Sequence, residues 1–241
     1  MKWMMAGAVP GIVLAALYGF PTRPEKSSGT VEITVLPQFS GMPLELSDQL
    51  YRSATSDSLY IDILRFYLSA VQLQGATSAY SEQESYHLVD AEEDGSRKIV
   101  LKDIPTGRYT ALEFNVGTDS LTNVSGALGG ALDPTLGMYW AWNTGYINVK
   151  IEGRSEACPT RHNAFEFHIG GYLSPHPTVR RVRLPLKTVV VRKNKTTSIW
   201  LKVDVAPLFG QIKLASTNQV MIPGETAARL ADYFQAGFEV E

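Results

Sequence analysis

The chain has little of the chemistry that supports covalent cross-links or thiolate metal sites. Its 241 residues include one cysteine, Cys158, so neither an internal disulfide nor a four-cysteine zinc site can form. The net charge is only −2, with both signs interspersed, which gives no basic surface for nucleic acid. No GxSxG, Walker, GxGxxG or HExxH signature occurs. Nucleic acid is therefore not expected as a partner, and the fold must be stabilised by packing.

The first twenty residues resemble an export signal. Lys2 precedes an uncharged, apolar stretch over residues 3–20, which Pro10 and three glycines interrupt. We interpret residues 1–20 as a signal peptide, with an uncleaved N-terminal anchor as the main alternative and a buried segment as the weaker one. Residues 21–29 then form a polar linker. The folded part is expected in the periplasm or at the cell surface, with membrane association only through the N-terminal segment.

Residues 30–241 have the patterning of a single β domain, and 44% hydrophobic residues are enough to fill a core. Val31, Ile33 and Val35 alternate with polar residues, and similar short alternating runs recur along the chain. We predict an antiparallel β-sandwich of about 7–10 strands. A helix is predicted only near the end, over residues 225–236.

Two longer segments interrupt this regular spacing. The apolar alternation of residues 60–74 changes phase twice, which predicts one long strand with a bulge or bend, and a helix is the alternative. Residues 117–134 contain four glycines and a proline but no clear periodicity. They are predicted to form a long irregular loop, and loops of this length in compact domains tend to be functional or mobile.

The segment 132–153 contains two of the four tryptophans, two positions apart. If it is extended, Trp140 and Trp142 point the same way as Lys150, while Ile147, Val149 and Ile151 face the core. Paired aromatic residues on a strand usually serve packing. Their position on the polar side leaves a functional role open.

The four histidines fall in two kinds of segment. His87 shares a strand face with Val89, whereas His168 lies on the polar face of its own strand, just before Gly170 and Gly171. His162 and His176 lie in loops and are interpreted as solvated. A nucleophilic pair of Cys158 and His162 is a remote alternative, since the surrounding loop is polar and carries Pro159.

Four sequence blocks carry a resemblance to a known family. They are YHLVDAE at residues 86–92, Asp119-Ser120, GALDPTLGMYWAWNTGYINVKIEG at residues 130–153, and FEFHIGGY at residues 165–172. Together they resemble the MbnP-like family of exported copper-binding proteins, over about residues 31–209. Thr118 and the C-terminal helix depart from the family pattern.

The resemblance implies a β-sandwich that binds one copper ion, best as Cu(I), through two histidines and a kynurenine. A dihaem enzyme of the cytochrome c peroxidase type makes the kynurenine from a tryptophan. Carried over by position, the histidines are His87 and His168, and the tryptophan is Trp140 or Trp142, with Trp140 favoured. An indole has no lone pair for a metal, whereas the ring-opened product has an amine and a ketone.

The expected function is therefore copper acquisition or storage by a binding protein that is not an enzyme. The alternative is a metal-free sandwich that uses the Trp140/Trp142 pair as an aromatic anchor for another protein.

Overall fold

The structure is a computed structural model that describes residues 27–142 and 145–241. The predicted signal peptide and most of the predicted linker lie outside these residues. The described strands are β1 (Ser28–Phe39), β2 (Met42–Pro43), β3 (Tyr51–Arg52), β4 (Ser58–Gln74), β5 (Ala79–Ser81), β6 (Tyr86–Asp90), β7 (Lys98–Pro105), β8 (Gly107–Val116), β9 (Tyr139–Trp140), β10 (Gly145–Arg154), β11 (Ala164–Gly170), β12 (Arg180–Val191), β13 (Thr196–Asp204), β14 (Gln219–Val220) and β15 (Phe238–Val240). The described α-helices are α1 (Ser120–Val124), α2 (Ala206–Phe209) and α3 (Glu225–Gln235).

The smaller sheet is built around β1. Its alternation holds as predicted, with Val31, Ile33 and Val35 buried and the residues between them half-buried. β1 pairs with β7 in antiparallel orientation and with β13 in parallel orientation. More than half of the chain separates β1 from β13, so no hairpin dictates their relative direction.

The larger sheet is built around β4. Phe66 pairs with both Val149 of β10 and Val89 of β6. Leu68 likewise pairs with both Val116 of β8 and His87 of β6. Because a strand residue has one neighbour on each side, β8 and β10 lie end to end along one side of β4, and β6 lies along the other. The register shifts at two points of β4, which confirms the predicted strand with a bulge.

The two sheets and two helices enclose one main hydrophobic core. α3 buries Ala227, Leu230, Ala231 and Phe234, and Phe234 packs edge-on against Phe66 of β4 at 5.4 Å between ring centroids. The predicted β-sandwich and the predicted C-terminal helix are therefore confirmed. The sheets are mixed rather than purely antiparallel, since β1/β13 and β11/β14 are parallel pairs.

The predicted continuous strand through both tryptophans is wrong. β9 ends at Trp140 and pairs back on Gly145 and Tyr146 of β10, so the segment makes a hairpin. A register shift between Ile147 and Val149 then breaks the predicted core-facing row. Val149 reaches the main core, whereas Ile147 packs on the opposite face of the sheet. The chain makes a turn and a bulge within eight residues. Its side chains therefore do not alternate between the two faces as they would in one extended strand.

No helix in the described part of the chain is both long enough and apolar enough to span a bilayer.

Candidate functional site

A second apolar cluster covers the outer face of the larger sheet, away from the main core. We call it the outer cluster, and its buried members are Tyr67, Leu132, Met138, Trp140, Tyr146 and Ile147. Tyr67 meets Tyr146 edge-on with ring centroids 6.0 Å apart. The segment predicted as a long irregular loop folds over this cluster, and it contains α1 and a 3₁₀ turn over Gly130–Leu132.

Buried polar side chains hold this covering segment in place. Asp119 caps α1 by accepting a hydrogen bond from the Thr122 amide at 2.8 Å. The Asn123 side chain accepts from the Tyr146 amide at 2.8 Å and donates to Thr118 and Asp119. Since these amides are paired within a buried region, the segment is fixed against the sheet.

Gly170 fixes the position of the Trp140 ring. A Cβ at residue 170 would lie 2.7 Å from two atoms of the Trp140 benzo ring and 2.7 Å from the Tyr146 carbonyl oxygen. The indole therefore rests directly on the β11 backbone, and a side chain at this position would displace it. Glycine within a strand often marks a close approach of this kind.

The two tryptophans have different environments. Trp140 is 5% exposed and Trp142 is 64% exposed, although their ring centroids lie only 5.7 Å apart. The hairpin turn that starts at residue 141 explains the difference, because it carries Trp142 out of the sheet. Only Trp140 has the enclosed position that a structured site requires.

A cleft of about 360 Å³ opens beside Trp140. Its wall combines the outer cluster with the loop after β11 and the segment before α3. The lining side chains include Asn123, Trp140, Tyr146, Tyr172, His176 and Pro223. None of the lining residues carries a formal charge when His176 is neutral, so the cleft suits an uncharged or weakly charged guest.

Two buried polar atoms in the outer cluster have no hydrogen-bond partner among the described residues: the Tyr67 hydroxyl and Trp140 Nε1. Burial raises the pKa of Tyr67 above its usual value, with a smaller contribution from Tyr146, so the hydroxyl stays protonated. Unpaired buried polar groups normally cost stability, and in native proteins each one needs an explanation. Here one of the two lies in a side chain that lines the cleft.

Removing the Tyr67 hydroxyl should stabilise the protein. Tyr67→Phe is expected to raise the free energy of unfolding by about 1 kcal/mol, because it deletes a buried group that has no partner. The control is Tyr109→Phe, since residue 109 is as buried as Tyr67 but its hydroxyl donates to the Pro105 carbonyl at 2.8 Å. That change should cost about 1 kcal/mol in urea denaturation. Equal losses in both variants would show that the Tyr67 hydroxyl has a partner.

The two histidines that the sequence pointed to lie on opposite faces of the larger sheet. His87 pairs with Leu68, which belongs to the main core, whereas His168 pairs with Lys150, and Lys150 with Arg65. Residues 65 and 68 of one strand face opposite ways. Three strand-to-strand steps of about 4.8 Å also separate their backbones by roughly 14 Å. The structure therefore does not bring His87 to the face that carries His168 and Trp140.

His168 is the predicted histidine that lies on the same face of the sheet as Trp140. It lies two residues before Gly170 on the same face of β11, and it is 8% exposed. Its Nε2 lies 2.7 Å from Oε1 of Glu152. The hydrogen bond from His168, with Lys150 adding to it against the effect of burial, lowers the pKa of Glu152. Glu152 is therefore ionised at neutral pH, and Nε2–H donates to it, leaving His168 Nδ1 free.

His87 has a similar carboxylate partner on its own face. Its Nε2 lies 2.7 Å from Oε2 of Glu82. Burial raises the pKa of Glu82, but the hydrogen bonds from His87 and Ser85 outweigh it, so the pKa is lowered overall. Carboxylate–imidazole pairs orient many metal-binding histidines. A carboxylate partner therefore does not distinguish His87 from His168 as a candidate ligand. The face of the sheet on which each side chain lies does distinguish them.

His176 is the functional candidate that the sequence did not predict. It was interpreted as a solvated loop residue, yet it is half-buried and lines the same cleft as Trp140. No local sequence pattern relates residues 140 and 176. They come together because β10 pairs with β11, which places the segments next to these strands side by side.

Cys158 lies inside the main core and is 2% exposed. Burial, with a smaller contribution from Asp57, raises the pKa of its thiol to about 11. Catalytic cysteines instead lie in accessible, electropositive surroundings. The structure therefore gives no support to a nucleophilic pair of Cys158 and His162.

Within residues 27–142 and 145–241, no group of three or more histidine, cysteine, aspartate or glutamate side chains is arranged to hold a metal ion.

Comparison with known proteins agrees with the sequence resemblance. No curated protein matches the chain significantly. The solved structure of MbnP from Methylosinus trichosporium shares the fold, with a TM-score of 0.54 at 15% identity, covering 81% of this chain and 82% of that one. The family model MbnP matches residues 28–222, which include every strand of both sheets except β15. The chain therefore belongs to the MbnP family.

Proposed function

We propose that this protein is exported to the periplasm or cell surface and binds one copper ion, as Cu(I), on the sheet face that carries Trp140. It acts as a binding protein for copper acquisition or storage, not as an enzyme. The observation that carries the proposal is Trp140 itself. Its ring is fixed on Gly170, lines an uncharged cleft, and leaves Nε1 without an acceptor among the described residues.

Trp140 becomes a ligand only after oxidation. A neutral indole offers an N–H donor and no lone pair. Two equivalents of peroxide cleave the C2–C3 bond and leave an N-formyl ketone and two waters. Hydrolysis then releases formate and leaves the aniline amine of kynurenine. Copper accepts nitrogen ligands of this kind.

His168 is proposed as one imidazole ligand. It lies on the Trp140 face, and Glu152 holds its Nε2, so Nδ1 is available to a metal. Metal-binding histidines commonly donate their second ring nitrogen to a carboxylate in this way. His87 is not proposed as a ligand, because its side chain lies on the main-core face.

The surface around the cleft suits a partner protein that would oxidise Trp140. The residues that line the cleft include no Asp, Glu, Lys or Arg. Two exposed large apolar side chains lie at the cleft: Leu173 lines it, and the Trp142 ring centroid is 5.7 Å from that of Trp140. Interface cores are similarly depleted of charge. The proposed partner is a dihaem enzyme of the cytochrome c peroxidase type.

The exposed Leu173 and Trp142 also favour a second candidate function, a metal-free interaction module. The exposed Trp142 would then be the anchor, since Trp140 is buried. The two functions differ in whether purified protein contains copper.

The test is metal analysis with peptide mapping of protein isolated from its own host after export. We expect one copper per chain and conversion of Trp140 with Trp142 intact. His168→Ala should lose copper, while the matched variant His87→Ala should retain it. Wild-type protein without copper would support the interaction module, and copper loss in His87→Ala would contradict the proposed face.

A further inference from the structure

One end of the sandwich carries a cluster of exposed basic side chains, and the chain enters the domain at this end. The Asn194 amide donates a hydrogen bond to the Ser28 carbonyl at 2.9 Å, and the Thr30 amide donates to the Lys195 carbonyl at 2.9 Å. We call this end the basic pole and define it by five exposed side chains: Lys102, Arg108, Arg192, Lys193 and Lys195.

Both sheets contribute to the basic pole. In the larger sheet, Arg108 of β8 pairs with Val190 of β12, two residues before Arg192. In the smaller sheet, Lys102 of β7 lies beside the start of β1, between residues that pair with positions 29 and 31. The turn of residues 192–195 connects β12 to β13 and so joins the two sheets. The five side chains therefore share one end of the domain.

The backbone of the basic pole is tightly packed. A Cβ at Gly29 would overlap the Arg192 carbonyl oxygen. On the other side of the entering chain, the Thr106 amide donates to the Ser27 carbonyl at 3.0 Å. The start of the domain is therefore wedged between the β7–β8 turn and the β12–β13 turn, and the basic residues are presented by a fixed surface.

The domain does not neutralise the charge of the basic pole. Eight other lysine and arginine side chains are paired with carboxylates. Four side chains of the basic pole make no ion pair among the described residues: Lys102, Arg108, Arg192 and Lys195. The adjoining strands carry two carboxylates, Asp103 on β7 and Glu32 on β1. Five positive charges thus exceed two negative ones, in a chain whose net charge is −2.

The sequence before the basic pole indicates what this surface faces. The uncharged, apolar stretch of residues 3–20 ends eight residues before Ser28. Eight residues span at most roughly 28 Å. A membrane that holds the apolar stretch, as an export signal or as an anchor, therefore lies on the side of the domain that carries the basic pole. Each lysine or arginine close to an anionic lipid surface strengthens binding by about fivefold.

The cleft beside Trp140 lies at the opposite end of the same strands. β8 begins at Gly107, next to the basic pole, and ends at Val116, which pairs with Arg180 just after the loop that lines the cleft. β8 has ten residues. At about 3.4 Å for each residue, the two ends lie roughly 30 Å apart. A surface that binds the basic pole therefore leaves the cleft open to the aqueous space.

We propose that the basic pole docks the domain on an anionic lipid surface and holds the Trp140 cleft away from that surface. This adds a contact of the folded domain to the membrane association that the sequence predicted through the N-terminal segment only. The proposal does not depend on copper binding, because the basic pole and the cleft share no residue. The groups recognised are the phosphates of the lipid headgroups.

The first test measures which end of the domain touches a vesicle. A fluorescent label is attached to Thr196→Cys at the basic pole or to Leu121→Cys in α1 at the cleft end, since the native Cys158 is buried. The vesicles carry a quencher on their headgroups and contain phosphatidylcholine with or without phosphatidylglycerol. We expect the label at residue 196 to be quenched on the anionic vesicles and the label at residue 121 to stay bright. Equal quenching of both labels, or equal quenching of the residue-196 label on neutral and anionic vesicles, would overturn the proposal.

The second test removes four positive charges from the basic pole. The variant combines four substitutions: Lys102→Gln, Arg108→Gln, Arg192→Gln and Lys195→Gln. A control of equal net charge replaces exposed basic residues elsewhere that also make no ion pair in the described structure: Arg52→Gln, Arg161→Gln, Lys213→Gln and Arg229→Gln. Quenching of the residue-196 label is titrated with anionic vesicles at about 0.1 M salt, where exposed charges more than about 10 Å apart are largely screened.

The variant of the basic pole is expected to bind anionic vesicles at least about tenfold more weakly than wild type, and the control should bind as wild type does. Equal weakening in both variants would show that net charge alone is responsible, which contradicts docking through this end. Binding of the basic pole to soluble polyglutamate but not to anionic vesicles would reject the lipid surface in favour of an acidic protein.

Discussion

Trp140→Phe is expected to abolish copper binding. A phenyl ring can still rest on Gly170, but it contains no nitrogen that oxidation could expose as a ligand. The smaller ring buries less apolar surface in the outer cluster, so the variant should also lose about 1–3 kcal/mol of stability. Metal analysis of the exported protein, with circular dichroism to verify folding, measures both effects.

The matched control for this substitution is Trp142→Phe. Trp142 lies next to Trp140 in space, but its ring is mostly exposed. Trp142→Phe should keep its copper and its stability. If Trp142→Phe lost copper and Trp140→Phe kept it, the wrong tryptophan would have been chosen.

Gly170→Ala is expected to lower both the stability of the protein and its copper retention. The new Cβ would meet two ring atoms of Trp140 and the Tyr146 carbonyl oxygen, each at 2.7 Å. The carbonyl belongs to β10, which is paired with β11, so the backbone has little freedom to move away. Overpacking of this kind costs about 1–3 kcal/mol. Trp140 should be displaced and copper retention should fall.

Gly95→Ala is the control for Gly170→Ala. A Cβ at Gly95 would meet nothing within 4 Å. This variant should stay within about 0.5 kcal/mol of wild type in urea denaturation and keep its copper. A Gly170→Ala protein as stable as the control would show that the Trp140 ring is not held on the strand.

The strands could be predicted because their residues obey one local rule. In β1 the alternation of Val31, Ile33 and Val35 with polar residues is uninterrupted, and the predicted strand is correct. In β4 the two phase changes in the sequence correspond to two bulges. α3 was also predictable, because its buried residues recur at helical spacing before Gly237. Each of these patterns depends only on near neighbours.

The tryptophan segment could not be predicted in this way. Trp140 and Trp142 satisfy the alternation of an extended strand, but the chain turns between them and pairs β9 with β10. The parallel pairing of β1 with β13 was missed for a related reason. Strand direction and hairpin position depend on contacts between distant segments, and no local pattern encodes them.

The histidines show where the sequence was informative and where it was not. The alternation of β6 correctly predicted that His87 shares a face with Val89. The alternation of β11 correctly predicted that His168 and Phe167 lie on different faces of the sheet. The order and register of the strands decide which face of the sheet each histidine occupies. They place His87 and His168 on opposite faces. His176 approaches Trp140 only because two loops meet at one end of the sheet.

The most direct test is a crystal structure of the copper-loaded protein with anomalous diffraction measured on both sides of the copper edge. We predict one anomalous peak in the cleft bordered by residue 140 and His176, on the side of the sheet that carries His168. A peak beside His87 and Glu82, on the main-core face, would contradict the proposed site.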